Sequence, residues 1–304
     1  MDNTSLRILG AGSAMPKANL FHTSQILEMR NKQFMIDCGE GAQIRMREYA
    51  ARTNRLNHIF ISHLHGDHCF GLMGLISTLG MMGRTSDIIV HSHPDLQTLL
   101  APQVKYFCSD FPFEVIFEPY TPYASEVIYD DKSVKVTTLP LKHRVPTSGF
   151  LFEEKYTERH LIRTMIDAYE VPIAFYKELK AGADFVTPDG EVVPNSRLTT
   201  DPTLPKKYAY ISDTAYTEKH IDLLHGVDCL YHEATFLAED KVRIKNTLHS
   251  SAAQAATIAK KAEAKMLIIG HYSARYDTSK PFLDEARTVF ENTFAAKDGD
   301  LFKF

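Results

Sequence analysis

Three histidines and one aspartate stand within six residues of the stretch "IFISHLHGDHCFGL". His63 and His65 are two residues apart, so an extended backbone points both imidazoles to the same side. Gly66 lets the chain turn without a Cβ clash, and Asp67 and His68 follow as the chain enters a helix. Four polar or titratable side chains directly after an apolar run cost stability unless they bind a partner. Imidazole and carboxylate ligands together favour zinc, with manganese and iron as alternatives.

Three further candidate ligands follow apolar runs elsewhere in the chain. They are His143 in "LPLKHRVP", Asp213 in "YAYISDTAY" and His271 in "MLIIGHYSARY". A single histidine after a strand is more often a satisfied polar residue, but strands ending at a common edge would bring all three to the histidine loop. The seven groups suffice for two ions if Asp213 bridges them. Two metals about 3.5–4 Å apart activate a water and hold a phosphoryl group.

Two other patterns indicate structural roles. His91 and His93 in "VHSHPD" alternate, but they have no companion acid and no glycine turn. The stretch "LGAGSAMP" follows a strand but lacks the third glycine of a dinucleotide-binding fingerprint, which indicates a tight turn.

The elements that must position these groups alternate between strand and helix. Strands are predicted over "SLRILG", "SQILEMR", "QFMIDCG", "NHIFIS", "SDIIVHS", "KSVKVTTLPL", "KKYAYIS", "VDCLYHE" and "KMLIIG". Helices are predicted over "GAQIRMREYAA", from about Asp67 to Leu79, over "PDLQTLLAPQVKYF" and over "SAAQAATIAKKAEA". A hairpin is expected around Asn31-Lys32. The pattern predicts an α/β fold with two sheets and outer helices, an αββα sandwich.

The domain organisation follows from length and from one break in this rhythm. The 304 residues are expected to form a single domain over 1–304, with an inserted surface arm at about 153–206. The arm combines two short helical patterns with the polar, proline-bearing stretch "TPDGEVVPNSRLTTDPTLP". Long excursions of this kind in compact domains are usually functional or mobile.

Composition points to a soluble cytoplasmic protein that does not contact membrane. Hydrophobic residues make up 44% and charged residues 24%, and no apolar run approaches the roughly 18 residues of a spanning helix. The N-terminal stretch has no signal-peptide pattern. The four cysteines form no CxxC pair, which favours free thiols in a reducing compartment.

A net charge of −4 gives no global attraction for a polyanion, so nucleic acid would need a local positive potential.

The stretch "SHLHGDH" resembles the HxHxDH signature of the metallo-β-lactamase superfamily. Within it, the chain is similar to the ribonuclease Z family, the tRNA 3′-processing endonucleases. The supporting segments, in order over nearly the whole chain, are "FMIDCGEGAQIRM", "HLHGDHCFGLMGL", "LKHRVPTSGF", "ISDTAY", "YHEATF", "LHSSAAQAATIAKKAEAK" and "GHYSARY". The HEAT box, His232 to Thr235, and the pair His249-Ser250 are the specific pieces, because the HxHxDH signature covers many hydrolases.

The resemblance implies two zinc ions per subunit, with manganese as an alternative. It assigns one ion to His63, His65 and His143. It assigns the other ion to Asp67, His68 and His271, with Asp213 as the bridging ligand.

The resemblance also implies the catalytic roles. Asp67 would accept a proton from the attacking water, and His249, steadied by Glu233, would protonate the leaving oxygen. Ser273 and Arg275 fall in a motif near the scissile phosphate. The chemistry agrees, because a 3′-oxygen of ribose is a poor leaving group unless protonated, and a histidine with a pKa near its ordinary value of about 6.5 can protonate it.

The arm departs from the family pattern. The resemblance implies a glycine-proline motif that grips the tRNA elbow, and a homodimer in which one subunit's arm presents tRNA to the other's active site. Here "PIAFY" replaces the glycine-proline run, and acidic residues outnumber Lys and Arg between Glu153 and Arg197. Phe175 and Tyr176 are candidates either for contact with ribose or bases or for packing within the arm.

The sequence therefore predicts a zinc phosphodiesterase that removes the 3′ trailer from precursor tRNA by metal-activated hydroxide and leaves a 3′-hydroxyl. The alternative is a metal-dependent hydrolase of small phosphodiesters, esters or lactones, which fits the acidic balance and the altered arm. A binding module without catalysis is disfavoured, because all seven ligands and His249 are present. Of the arginines in or near the motifs, Arg45, Arg47 and Arg144 are each interpreted as a solvated or structural charge, and Arg275 alone is kept as a candidate site residue.

Overall fold

The computed structural model describes residues 4–18 and 20–304. The strands within these residues are, in chain order, β1 (Ser5–Gly10), β2 (Ser24–Met29), β3 (Lys32–Cys38), β4 (Leu56–Phe60), β5 (Ile88–Ser92), β6 (Val115–Pro119), β7 (Val127–Asp130), β8 (Val134–Pro140), β9 (Ser148–Glu154), β10 (His160–Leu161), β11 (Phe185–Val186), β12 (Val192–Val193), β13 (Thr199–Thr200), β14 (Lys207–Ile211), β15 (Cys229–Glu233), β16 (Leu267–Gly270), β17 (Thr293–Ala295) and β18 (Leu301–Lys303).

The α-helices of the same residues are short to medium in length. They are α1 (Ala42–Glu48), α2 (Gly66–Cys69), α3 (Leu72–Met81), α4 (Pro94–Phe107), α5 (Arg163–Ala168), α6 (Tyr176–Lys180), α7 (Asn195–Leu198), α8 (Ile221–Leu224), α9 (Lys241–Thr247), α10 (Ala252–Lys261) and α11 (Lys280–Arg287). Single 3₁₀ turns occupy Thr53–Arg55 and Ile173–Phe175. Across the described part of the chain, no helix combines the length and apolar composition that crossing a bilayer requires.

The chain divides into two compact units. The first comprises the residues up to Glu153 together with Lys206–Phe304, and the second comprises Glu154–Pro205. The first unit holds two seven-stranded sheets, with strand orders β18-β1-β2-β3-β4-β5-β6 and β17-β16-β15-β14-β9-β8-β7. In the first sheet β3 to β6 are parallel, and in the second β14 to β17 are parallel.

Alternation along the strands of the first sheet divides its side chains between two hydrophobic cores. Phe34 and Ile36 of β3 and Phe60 of β4 join the core shared with the second sheet. Met35 of β3 and Ile59 of β4 point to the opposite face, into a core with α1, α3 and α4. A sheet buried on both faces explains why apolar residues occupy successive positions, such as Phe34, Met35 and Ile36 of β3.

The second sheet is covered by α10 and α11. Small side chains of α10, such as Ala255, Ala256 and Ala259, allow close packing on β15 and β16. The layer order is therefore helix, sheet, sheet, helix, and the predicted αββα sandwich is confirmed.

The second unit has its own small core. It contains the two-stranded sheets β10-β13 and β11-β12, and its buried apolar residues are Ile166, Val171, Leu179, Phe185, Val193 and Leu198. Phe175 and Tyr176 pack against this core, and the rings of Phe175 and Phe185 have centroids 5.4 Å apart. Packing within the unit therefore accounts for both aromatic residues.

Two local predictions need correction. The β2–β3 hairpin turns at Arg30-Asn31, one residue earlier than expected, because both residues have the positive φ that a two-residue type I′ turn requires (49° and 61°). The helix predicted from Asp67 to Leu79 is divided into α2 and α3 at Gly71. Gly71 donates its N–H to the Cys38 carbonyl at 2.9 Å, which takes the backbone out of the helical register.

Candidate metal centre

The seven predicted ligands lie at the carboxyl ends of strands from both sheets. The loop that follows β4 carries the four ligands of the HxHxDH stretch. His143 follows β8, Asp213 follows β14 and His271 follows β16. A hydrogen bond joins the two sheets beside the site. The N–H of Ser148, the first residue of β9, donates to the carbonyl of Ser62, in the loop after β4, at 3.0 Å.

One group of ligand atoms comes from His63, His65, His143 and Asp213, all within 4.8 Å of one another. His63 Nε2 lies 3.0 Å from His65 Nδ1 and 3.6 Å from Asp213 Oδ2. His143 Nε2 lies 3.8 Å from the same Asp213 oxygen. These four groups therefore surround one common point.

A second group consists of Asp67, His68 and His271. His271 Nε2 lies 3.3 Å from both His68 Nε2 and Asp67 Oδ2. Asp213 reaches this group through its other oxygen, because Oδ1 lies 3.2 Å from His271 Nε2 and 3.6 Å from His68 Nε2. The two oxygens of Asp213 thus face different ligand groups, as a bridging carboxylate must.

The outer nitrogens of the imidazoles are held by protein groups. His143 donates its Nδ1–H to the Leu248 carbonyl at 3.1 Å, since a carbonyl can only accept. His68 Nδ1 lies 2.7 Å from the Asp37 carboxylate, and His271 Nδ1 lies 2.9 Å from the Thr235 hydroxyl. Such partners fix the tautomer and leave each Nε2 as an acceptor that points inward.

The donor set fits metal ions. His143 Nε2 and Asp213 Oδ1 are buried and have no hydrogen-bond partner among the described residues. Burial lowers the pKa of His63, His65 and His143, so their imidazoles are neutral and their lone pairs are available. Inward nitrogens only 3.0–3.3 Å apart need a proton or a metal cation between them, because facing lone pairs repel one another.

The charge around His68 supports the same conclusion. Burial opposes a charge on this imidazole, but the carboxylates of Asp37, Asp67 and Asp213 outweigh burial and raise its pKa well above the ordinary value. Three buried carboxylates around one imidazole leave an excess of negative charge, which bound cations would neutralise.

Glu233 and His249 form a buried pair beside the ligands. Glu233 is the last residue of β15, and its Oε1 lies 3.0 Å from His249 Nδ1. The same carboxylate accepts backbone N–H groups of Thr214, Thr235 and Ser250 at 2.9–3.0 Å. Burial disfavours the imidazolium, but the carboxylates of Glu233 and Asp213 outweigh burial and raise the pKa of His249 to about 9. His249 is therefore a protonated, oriented acid at neutral pH.

The segment that carries His249 is anchored by a capping box at the start of α10. The Ser251 hydroxyl accepts the Gln254 N–H at 3.2 Å, and the Gln254 side chain accepts the Ser251 N–H at 3.0 Å. The Ser250 hydroxyl donates to the Thr214 carbonyl at 2.8 Å.

These groups open into a cleft of about 480 Å³. Its lining includes Asp67 and His249, together with Gly66, Arg144 and Thr235 and with residues that the sequence analysis gave no role in the site: Ser13, Ala14, Pro16, His22, Glu40 and Phe70. Ser273 and Arg275 are not among the lining residues; Ser273 is half-buried and donates its N–H to the Thr235 carbonyl at 3.2 Å, while Arg275 is exposed.

Asp37 is the main supporting residue that sequence reasoning did not assign. It is fully buried, accepts the N–H and hydroxyl of Ser62 at 2.7 and 2.9 Å, and accepts the Tyr210 hydroxyl at 2.6 Å. Its signal was present, because an acid after the apolar run "QFMI" follows the same rule as Asp213. Asp37 and His271 have φ values of 55° and 62°, a left-handed backbone that non-glycine residues rarely adopt and that concentrates at functional sites.

The two histidines interpreted as structural lie among other partners. His91 stacks on Phe60 with ring centroids 4.4 Å apart, and its Nε2 lies 3.0 Å from His58 Nδ1. His93 precedes α4, and its Nδ1 accepts the N–H of Asp95 at 3.3 Å.

Comparisons with known proteins give the following matches. The family model of the Anti-Pycsar protein Apyc1 matches residues 4–161, and that of the beta-lactamase superfamily domain matches residues 197–272. Ribonuclease Z of Phocaeicola vulgatus is 50% identical over 98% of this chain and 96% of its own length. Ribonuclease Z of Bacteroides thetaiotaomicron is 52% identical over 98% of this chain and 94% of its own length. The crystal structure of human tRNase Z, short form, shares the fold, with a TM-score of 0.70 at 22% identity over 98% of both chains.

Proposed function

The chain belongs to the ribonuclease Z family of the metallo-β-lactamase superfamily, and from this premise we propose that it removes the 3′ trailer from precursor tRNA. It is a hydrolase that cuts one internal phosphodiester. The observation that supports this reaction most directly is the junction of seven ligand groups with the Glu233–His249 pair in one cleft.

The family and the donor set imply a bound metal, and we propose two zinc ions. His63, His65 and His143 would hold one ion, and Asp67, His68 and His271 the other, with Asp213 shared through its two oxygens. When bound, the ions lower the pKa of the attacking water and withdraw charge from the phosphoryl oxygens. Imidazole and carboxylate ligands suit zinc best, with manganese as the alternative.

Asp67 is proposed to orient the attacking water and to accept its proton. Its carboxylate lines the cleft, and its Oδ2 lies 3.3 Å from His271 Nε2. His249 is proposed to protonate the departing 3′-oxygen of the tRNA, which otherwise is a poor leaving group. Glu233 keeps the His249 ring in place and keeps it charged. The products are a tRNA with a 3′-hydroxyl and a trailer with a 5′-phosphate.

The remaining assignments belong to substrate binding and assembly. We propose that Ser273 and Arg275 contact RNA phosphate, that the chain acts as a homodimer, and that it works in the cytoplasm. We also propose that the chain is one catalytic domain whose insertion, at about 153–206, binds tRNA.

The test is cleavage of a precursor tRNA with a 3′ trailer, mapped to the nucleotide. Wild type, Asp67→Ala and His249→Ala are compared with and without a chelator. A cut next to the discriminator base, lost with chelator and in both variants, supports the proposal. Intact RNA beside hydrolysis of a small phosphodiester would instead indicate a small-substrate hydrolase.

A further inference from the structure

The catalytic cleft carries an aromatic ring that the proposed chemistry does not use. Phe70 lines the cleft with His65 and Asp67, and its side chain is 73% exposed. Single exposed apolar residues are common on protein surfaces and carry no meaning alone. The meaning of this one depends on how rigidly it is held and on what else faces it.

The backbone around Phe70 is fixed on both sides. Phe70 donates its N–H to the Gly66 carbonyl at 2.9 Å, and Gly71 donates to the Cys38 carbonyl at 2.9 Å. A Cβ at Gly71 would lie 2.1 Å from the Gly39 carbonyl oxygen, so the chain is in close contact with the end of β3 here. The backbone at Phe70 therefore cannot shift without displacing its neighbours.

The ring itself rests on the ligand loop. A Cβ built at Gly66 would lie 2.3 Å from Phe70 Cε2, so the ring fills the space that any side chain at position 66 would occupy. Gly66 separates His65 from Asp67. The ring thus lies against the backbone of Gly66, between the candidate metal ligands His65 and Asp67.

A positive charge in the same cleft indicates which kind of ligand would cover the Phe70 ring. Arg144 also lines the cleft, is exposed, and has no ion pair or hydrogen bond among residues 4–18 and 20–304. An aromatic face and an unpaired guanidinium in one cleft match a single-stranded nucleotide, whose base stacks and whose phosphate carries the charge.

The position of Phe70 relative to Asp67 and His249 indicates on which side of the scissile phosphate the ring lies. Phe70 directly follows α2, the helix that contains Asp67, whereas His249 comes from the segment before α10. In an in-line displacement the attacking water and the leaving oxygen lie on opposite sides of phosphorus. The Phe70 ring lies against Gly66, next to Asp67, so it is beside the group proposed to act on the water and not the group proposed to protonate the 3′-oxygen. This favours contact with the nucleotide that keeps the phosphate after cleavage, which is the first nucleotide of the trailer.

We propose that Phe70 is a stacking platform for the base of the first trailer nucleotide, on the 3′ side of the scissile phosphate. This inference rests on the proposed function. Stacking on a fixed ring holds the trailer in place as the phosphate is attacked, and it accepts any base, because every base has a π-face.

The test compares two precursor tRNAs that differ only at the first trailer nucleotide, one with a base and one abasic. For wild type, kcat/KM should be about tenfold or more lower on the abasic RNA. Phe70→Ala should show that loss already on the normal RNA and no further loss on the abasic one. Phe70→Tyr should keep the wild-type ratio, and Phe70→Leu should behave as Phe70→Ala. The ratio is taken within one preparation, so a reduced folded fraction cancels.

Tyr106→Ala is the matched control, since Tyr106 is an exposed aromatic of α4 outside the cleft lining. It should keep the wild-type ratio. The inference is overturned if Phe70→Ala remains as sensitive to the abasic site as wild type, or if it becomes insensitive to an abasic discriminator instead. Failure of the wild type to cut either RNA would refute the proposed function itself, and that outcome is visible before any variant is compared.

Discussion

Two histidine-rich regions of the same unit differ in what surrounds them. At the candidate metal centre, the imidazoles meet buried carboxylates, and their inward nitrogens converge within 4.8 Å. At the β4–β5 pair, His58 and His91 stack among aromatic rings, with Phe60 and Tyr129 at centroid distances of 4.4–4.6 Å. Glu118 is an acid near this second region, but it is half exposed and lies 3.3 Å from the outer nitrogen of His91.

The comparison teaches that histidine count does not identify a metal site. Burial lowers the pKa of His58 to about 4 and that of His91 to about 3, so both rings behave as neutral aromatic groups. The ligand histidines are distinguished by acids beside them and by acceptors behind them, such as Asp37 and the Leu248 carbonyl. Variants of the two regions should therefore separate metal binding from stability.

The largest effect is expected from Asp213→Ala. Because Asp213 is shared by both ligand groups, its loss should abolish the bound metal and reduce cleavage to the level of the chelated wild type. Metal content by elemental analysis and cleavage of precursor tRNA check this. His91→Phe is the control and should keep both. A full metal complement in Asp213→Ala would contradict the bridging assignment.

Glu233→Gln should lower kcat by about 10²-fold, at the lower end of general-acid effects. It should also change the pH profile. The acid must be protonated, so wild-type activity falls as pH rises through the pKa of His249, which the Glu233 carboxylate raises against the opposing effect of burial. Removing the Glu233 charge lowers that pKa, so the basic limb moves to lower pH. An unchanged limb would mean that His249 does not set it.

Asp37→Asn should weaken metal binding or activity by about 10- to 100-fold, as loss of a carboxylate behind a ligand histidine does. The carboxylate lies against His68 Nδ1, and the amide can present its NH₂ group there and select the wrong tautomer. Competition with a chelator of known affinity measures the effect. Equal metal affinity in wild type and variant would leave Asp37 as a purely structural acid.

The smallest effect is expected at the second histidine region, in stability alone. The folded pKa values of His58 and His91 lie below the ordinary 6.5, so the unfolded chain binds protons first. Their contribution to the free energy of unfolding is complete above about pH 6.5 and is lost as pH falls through about 4 for His58 and about 3 for His91. His91→Phe should make that loss shallower in denaturant titrations at several pH values. An unaltered slope would show that His91 does not contribute.

Much of the fold and of the candidate site was accessible from the sequence, because it depends on local pattern. Strand and helix periods predicted the layers, and polar residues after apolar runs predicted the groups that the structure brings together. Asp37 obeyed the same rule, but no sequence rule pairs it with His68, since that contact crosses from β3 to the ligand loop. The contact of His143 with the Leu248 carbonyl could not be predicted at all, because a backbone group leaves no signal in the sequence.

The local errors have a similar origin. The division between α2 and α3 depends on contact of Gly71 with Gly39, which are distant in sequence. The hairpin turn at Arg30-Asn31 carries no glycine, so the residues with positive φ could not be recognised from composition. Long-range contact therefore decided the first feature, and a local backbone conformation without a glycine to mark it decided the second.

The pairing of β1 with β18 bears on how the chain is made. Ser5 is opposite Lys303, so the first sheet gains this edge strand only after residue 303 has left the ribosome. Until then the outer edge of β1 presents unpaired backbone groups, the arrangement through which strands of different chains join. Synthesis of this protein thus has a vulnerable interval that lasts until β18 has been made, and deletion of β18 should favour aggregation over loss of catalytic geometry.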